Sequence, residues 1–130
     1  MKKGQSAIEF MILVGFLLFS FIVFMGIINL NNSDKIRERN NQQLYEIASN
    51  IRSEIDLAYN SLDGYSRDFE IPQTISGIEY SVNIQEEMIS IKTANGKYSL
   101  GLPTKEVTGT VNTGLNTIKR ENGTIKINEE

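Results

Sequence analysis

Residues 1–30 read MKKGQSAIEFMILVGFLLFSFIVFMGIINL, and the nineteen residues from Phe10 to Ile28 carry no charge. A helix rises about 1.5 Å per residue, so that run is long enough to cross a hydrocarbon layer ~30 Å thick. It does not read as a removable secretory signal, in which a basic start, an apolar stretch and an A-x-A cleavage site follow in that order. Here the basic start is only Lys2 and Lys3, and no A-x-A site follows the apolar residues. The helix is therefore expected to stay on the protein, with membrane lipid as its first partner. Lys2 and Lys3 precede the span and the first charge after it is Asp34, which predicts a cytoplasmic N-terminus and an extracellular C-terminus. Lys35, Arg37 and Arg39 weaken that bias but do not reverse it.

Glu9 is the one ionisable residue at the edge of the span. A carboxylate there costs ~1 to 3 kcal/mol unless it is paired or snorkels to the headgroups. Gly15 and Gly26, eleven residues apart, share a helix face with Ile22 between them. Small residues let another helix approach closely, although glycine is also common in membrane helices and no GxxxG is present.

The order Lys2-Lys3-Gly4-Gln5-Ser6-Ala7-Ile8-Glu9-Phe10, leading directly into an apolar helix, resembles the class III signal peptide of archaeal type IV pilin-like precursors. In that family a short basic leader ends in Gly, the mature chain begins with Gln, and Glu is its fifth residue. Lys3, Gly4, Gln5, Glu9 and Phe10 fit this pattern, and the resemblance is confined to the first thirty residues. It implies a leader at residues 1–4, cut between Gly4 and Gln5 by a prepilin-type peptidase whose cleft a side chain at position 4 would crowd. It also implies assembly with copies of the same chain or other pilin-like subunits, the Glu9 carboxylate meeting the amine of Gln5 on a neighbour. Such a pair fixes register, because either charge left alone in an apolar bundle is costly.

Composition excludes more than it assigns. The 130 residues contain no Cys and no His, so there is no disulfide framework, no thiolate nucleophile, and neither the commonest general base nor the commonest transition-metal ligand. Net charge is −3; loss of Lys2 and Lys3 from the 13 basic side chains would leave 11 against 16 acidic ones, or −5. That balance argues against nucleic acid as a partner. The densest basic cluster, Lys35, Arg37 and Arg39, alternates with Asp34 and Glu38 and reads as a solvated helix surface.

Beyond the span, Asn29 to Gln43 is polar except for Leu30 and Ile36 and rich in Asn, a poor helix former, so the helix is expected to loosen there. Leu44, Ile47, Ile51, Ile55, Ala58 and Leu62 then recur at helical steps, one apolar stripe that packs either on this chain's own sheet or on other subunits. Asp63-Gly64 is expected to end the helix. From there the period changes to two: Ile78, Tyr80, Val82 and Ile84 alternate with polar residues. Asn95-Gly96 predicts a hairpin with a type I′ turn, setting Thr93 opposite Tyr98, Ile91 opposite Leu100 and Ile89 opposite Leu102. A second Asn-Gly, at Asn122-Gly123, would set Ile118 opposite Ile127 but also Lys119 opposite Lys126, an unfavourable pair. With Val107 to Val111 as a further strand, four to six strands are expected. The fold class is α+β: a leader at 1–4, a transmembrane and assembly helix at 5–28, a polar then amphipathic helix at 29–62, and a small extracellular antiparallel β domain at 63–130.

The paired carboxylates Glu86-Glu87 and Glu129-Glu130 are adjacent, and adjacent strand residues point to opposite faces; Glu54 and Asp56 do not face each other on a helix. No catalytic residues, metal ligands or cofactor are expected, and the chain does not read as an enzyme. Asn31-Asn32-Ser33 and Asn122-Gly123-Thr124 are possible N-glycosylation triplets, with Asn31 and Asn122 as acceptors on the outer side. Three function classes stay open: a structural subunit of a surface filament; a membrane-anchored extracellular binding module or minor pilin-like accessory; and an ectoenzyme, which the absence of His and Cys and of any recognisable constellation disfavours. A large polar-lined pocket in the β domain would favour the second, and a small filled core the first.

Overall fold

The computed structural model describes residues 2–129, without the side chains of Lys2, Lys3 and Asn31. The chain forms two compact units, Met1–Glu38 and Arg39–Glu130. One helix, α1 (Lys2–Tyr59), makes up the described part of the first and opens the second.

In the first unit the helix has no neighbour to bury its surface. Phe16 is 69% exposed and Ile22 68%, and the other large apolar side chains from Ile8 to Leu30 are comparable, with Val14 alone half-buried. By length and composition α1 can cross a membrane. The Asn-rich stretch from Asn29 to Gln43, expected to loosen, is helical throughout. The helix penalty of Asn is at most about 0.7 kcal/mol per residue, small enough for context to override. Its last residues also have partners: Asn40 is buried, and the hydroxyl of Ser76 donates to its Oδ1 at 2.7 Å.

In the second unit the expected stripe is the floor of the core. Leu44, Ile47, Ile51, Ile55 and Ala58 are buried, joined by Ala48, in one cluster with Phe69, Ile71, Ile75, Ile89, Ile91, Ile118, Ile125 and Ile127. The stripe therefore packs on this chain's own sheets. Leu62 does not join it and is 87% exposed, because α1 stops one turn earlier. The stop is chemical. The side chains of Asn60 and Ser61 donate back to the carbonyls of Asp56 and Leu57 at 2.9 and 2.6 Å, and Nη1 of Arg120 donates to the carbonyls of Tyr59 and, at 2.6 Å, Ser61. Carbonyls at a helix C-terminus have no partner within the helix, and a guanidinium also suits the negative end of the dipole. Asp63, read as a helix terminator, instead accepts from the Gly123 N–H at 3.0 Å and lies 3.3 Å from Nε of Arg120, an ion pair by distance without hydrogen-bond alignment.

Among the described residues, eight strands follow: β1 (Ser66–Ile71), β2 (Thr74–Ile75), β3 (Ile78–Gln85), β4 (Met88–Thr93), β5 (Ser99–Pro103), β6 (Thr108–Gly109), β7 (Gly114–Glu121) and β8 (Thr124–Ile127). They form two four-stranded sheets, ordered β1-β7-β8-β6 and β2-β3-β4-β5. All pairings are antiparallel except the short parallel β6·β8 contact, so the fold is α+β with an antiparallel sheet domain, as the sequence predicts. The number exceeds the four to six expected because of β1 and the two-residue strand β2; β6 falls in the expected Val107 to Val111 segment but is only two residues long. β6 runs so close to β8 that a Cβ on Gly109 would lie 1.9 Å from the Ile127 carbonyl oxygen, and Gly109 also has φ +94°, so only glycine fits.

Both predicted hairpin registers are present: Ile89 opposite Leu102 and Ile91 opposite Leu100, then Ile118 opposite Ile127 and Lys119 opposite Lys126. The first turn differs in type. A type I′ turn needs positive φ at both central residues, and of Asn95-Gly96 only Gly96 has it, at 68°. Instead the Gly96 N–H donates to the Thr93 carbonyl at 2.9 Å, closing the turn one residue earlier, while Oδ1 of Asn95 accepts from Thr93 Oγ1 and the Lys97 N–H. Three other pairs have both φ values positive as type I′ demands: Ser76-Gly77 (50°, 78°), Glu86-Glu87 (50°, 59°) and Asn122-Gly123 (52°, 78°). Glu86-Glu87, read as a strand, is thus the turn joining β3 to β4, with two side-chain-bearing residues in the left-handed region.

Candidate functional site

The residues singled out by sequence fall into two groups. The first lies in the opening turns of α1. Gly4 and Gln5 are helical, and Nε2 of Gln5 donates to Oε1 of Glu9 one turn later at 3.5 Å, a weak contact between exposed groups. The side chain of Lys3 lies outside the described residues. A Cβ added at Gly4, Gly15 or Gly26 would meet nothing within 4 Å, and none of the three has positive φ. Packing within the chain therefore gives no reason for glycine at these positions. The Gly4–Gln5 bond sits in the first turn of α1, where N–H groups have no partner within the helix.

The second group is the pair of glycosylation triplets, one on the β domain and one on α1. Asn122 is exposed at the tip of the β7–β8 turn and Thr124 is exposed two residues later. Asn31 belongs to α1, and its side chain lies outside the described residues; in the same triplet the Ser33 hydroxyl donates to the Asn29 carbonyl at 3.2 Å.

The paired carboxylates are dispersed. Glu54, 8% exposed, has Oε2 3.6 Å from Nε of Arg67, close enough for ion pairing but too long for a hydrogen bond. Asp56 faces Arg52 at 3.9 Å along the helix. Glu129 accepts from the Thr108 hydroxyl at 3.0 Å, and Glu130 lies outside the described residues. Among the described residues no group of three or more Asp or Glu is placed to hold a metal ion. The strongest perturbation belongs to Tyr80: burial pushes its phenol up to about 12, and its hydroxyl donates to the Pro72 carbonyl.

Sequence reasoning missed a surface groove of ≈ 440 Å³ lined by Tyr59, Glu87, Thr104, Lys105, Glu106 and Thr124, among others. The Lys105 ammonium lies 4.5 Å from the Tyr59 ring centroid, within cation–π range. Oγ1 of Thr104 is buried and has no hydrogen-bond partner among the described residues. Four separate segments build this groove, and no local pattern announces it. Comparisons with protein-family models, with curated proteins and with solved structures found no match to this chain.

Proposed function

We propose that the chain is a structural subunit of an archaeal type IV pilus-like surface filament, matured by a prepilin-type peptidase that cuts after Gly4. The observation that carries this reading is the conjunction of Gly4-Gln5 and Glu9 with a helix whose apolar side chains, from Ile8 to Leu30, are exposed all round. A surface of that kind needs an apolar surrounding, first lipid and then the helices of other subunits. The closed core of Arg39–Glu130 supports the reading further, since a unit that buries its own apolar residues can be carried through assembly as a folded body. In the bundle, Glu9 would complement the N-terminal amine of a neighbour, or its N–H donors if Gln5 cyclises.

A second reading, a membrane-anchored extracellular binding module or minor pilin-like accessory, has the polar groove in its favour. Glu9→Ala separates the two. A filament subunit that loses this carboxylate leaves its partner group buried and unpaired, at a cost of ~3 to 5 kcal/mol where burial is complete. The variant should be made, cut after Gly4 and retained in membranes, yet be depleted from sheared filaments when co-expressed with the wild type. Equal incorporation, or absence of the wild type from filaments, favours the anchored module.

A further inference from the structure

Of the strands that border the two sheets, all but one carry a feature that discourages a further strand from pairing. β1 contains Arg67, Asp68 and Glu70, β5 ends in Pro103, and β2 and β6 are two residues long. β3 differs. β2 covers its outer side only at Ile78 and Glu79, so residues 81–85 border the sheet β2-β3-β4-β5 by themselves. That stretch reads Ser-Val-Asn-Ile-Gln, with no charge, no Pro and no Gly.

The hydrogen bonds fix which groups are open. The Ala94 N–H donates to the Glu79 carbonyl at 2.8 Å, and pairing alternates along an antiparallel ladder, so Ser81, Asn83 and Gln85 turn their backbone groups to β4. Val82 and Ile84 turn theirs the other way, where no backbone partner is found among the described residues. Their side chains are on the inner face and only half-buried, whereas Ile91 and Ile89, opposite them on β4, are fully buried. Both the hydrogen-bonding edge and the apolar face beside it are therefore incomplete in the single chain. An extended segment with apolar side chains at alternate positions completes both.

We propose that the segment is β3 of a second copy of this chain, paired antiparallel about a two-fold axis at Asn83. In that register Val82 exchanges hydrogen bonds with Ile84 of the second copy and Ile84 with its Val82, while Ser81 faces Gln85 and Asn83 faces Asn83. The same stretch supplies both halves: it is already extended, its open groups stand at matching positions, and no like charges oppose each other within it. Neighbouring registers fail. Two residues one way, Gln85 of the second copy would take the place of Thr74 opposite Glu79; two residues the other way, Val82 would face Glu86 in the β3–β4 turn. Neighbours along a polar filament are related by a screw and not by a two-fold axis, so this contact goes beyond the filament reading and does not depend on it.

The chain has no Cys, so single introduced thiols report the contact in full-length protein in detergent. In the proposed pair the two Asn83 residues are a non-hydrogen-bonded pair with Cα atoms about 4.5 Å apart, within disulfide reach. Ser81 and its counterpart are offset by ~13 Å along the strands. Under a mild oxidant, Asn83→Cys should form several-fold more disulfide dimer than Ser81→Cys, or than Ser90→Cys on the interior strand β4. Equal dimer from the three overturns the pairing. A disulfide from Asn83→Cys to a protein of another mass, formed in native membranes, overturns the second copy as the occupant. Charges then test the register in the Asn83→Cys background. Ser81→Glu with Gln85→Glu sets like charges opposite each other at both ends and should lower the dimer yield several-fold, whereas Ser81→Glu with Gln85→Lys sets opposite charges there and should restore it. All three positions are exposed and the two double variants differ at one residue, so the comparison does not turn on folding. Equal yields overturn the register. None of these readouts involves Gly4 cleavage or Glu9, so their failure leaves the filament reading standing, and failure of the Glu9→Ala experiment leaves this pairing standing.

Discussion

Ile22 and Ile51 are the same residue in the same helix, yet Ile22 is 68% exposed and Ile51 fully buried. In Met1–Glu38 the apolar surface has no partner in its own unit, whereas in Arg39–Glu130 it is covered by two sheets. The difference teaches that an apolar helix surface is half of an interaction, and the other half decides its role. Ile51 stabilises a fold. Ile22 stabilises nothing within its own unit.

The largest expected effects test that division directly. Ile51→Ala empties part of a filled core and should destabilise the β domain by about 2–5 kcal/mol, a large share of the ~5–15 kcal/mol typical of a small protein. Ile22→Ala should leave the domain's unfolding unchanged. Urea denaturation of the full chain in detergent, followed by tyrosine fluorescence, checks both; an equal loss in the two variants would break the comparison. The reciprocal substitution is Leu17→Arg, which places a charge mid-span at an insertion cost of about 2.5–3.5 kcal/mol. Alkaline extraction should release more of this variant from membranes, while its β domain melts like the wild type.

A smaller effect concerns how α1 is tied to the sheets of its second unit. Arg120→Met keeps much of the side-chain volume but removes both hydrogen bonds that Nη1 donates to the Tyr59 and Ser61 carbonyls and the ion pair to Asp63. Leaving those acceptors unpaired should cost about 1–3 kcal/mol. Hydrogen exchange should speed up first in the last turn of α1. Smaller again, and confined to alkaline conditions, is the contribution of Tyr80. Its folded-state value of about 12 lies above the ordinary 10.0, so the unfolded chain loses this proton first. The contribution is therefore intact below pH 10 and lost as pH rises from there towards 12. Tyr80→Phe should flatten that part of the stability profile, and pH-dependent urea midpoints measure it.

What the sequence revealed divides along the same line. The long apolar helix, the apolar stripe from Leu44 to Ala58 and the Asn95-Gly96 register were legible because each depends on neighbours close in the chain. β1 was not, because Arg67, Asp68 and Glu70 dilute its pattern and its partner β7 lies some fifty residues on, as in Arg67 opposite Ile118. Glu86-Glu87 escaped notice as a turn because nothing in two glutamates announces positive φ; the strands on either side impose it. Of the candidate sites, Gly4, Gln5 and Glu9 stand in a contiguous motif that resemblance could read. Tyr59, Glu87 and Thr104 meet only after folding.

The smallest expected effect tests whether a registry that sequence counts against is corrected by a neighbour. Pairing across the Asn122-Gly123 turn sets Lys119 opposite Lys126, a repulsion that by itself argues for a different register. Lys126 resolves it by turning along its own hairpin to Glu121, with Nζ 2.9 Å from Oε2. That hydrogen bond and the charges it joins hold the Glu121 carboxyl below its usual range and raise Lys126. For Glu121 the stabilisation is present above the ordinary carboxylate range and lost as pH falls through the lowered folded value. For Lys126 it is present below the ordinary lysine range and lost as pH rises through the raised one. Both groups are solvated, so the pair is weak and salt screens it. Glu121→Gln should therefore lower the melting temperature only slightly at neutral pH and low salt, with the difference shrinking as salt is added. Lys119→Gln in the same background should restore it, because the repulsion that Glu121 offsets is then gone. If Glu121→Gln has the same effect at low and high salt, charge is not what holds this hairpin in register, and the two type I′ residues at its tip carry the registry alone.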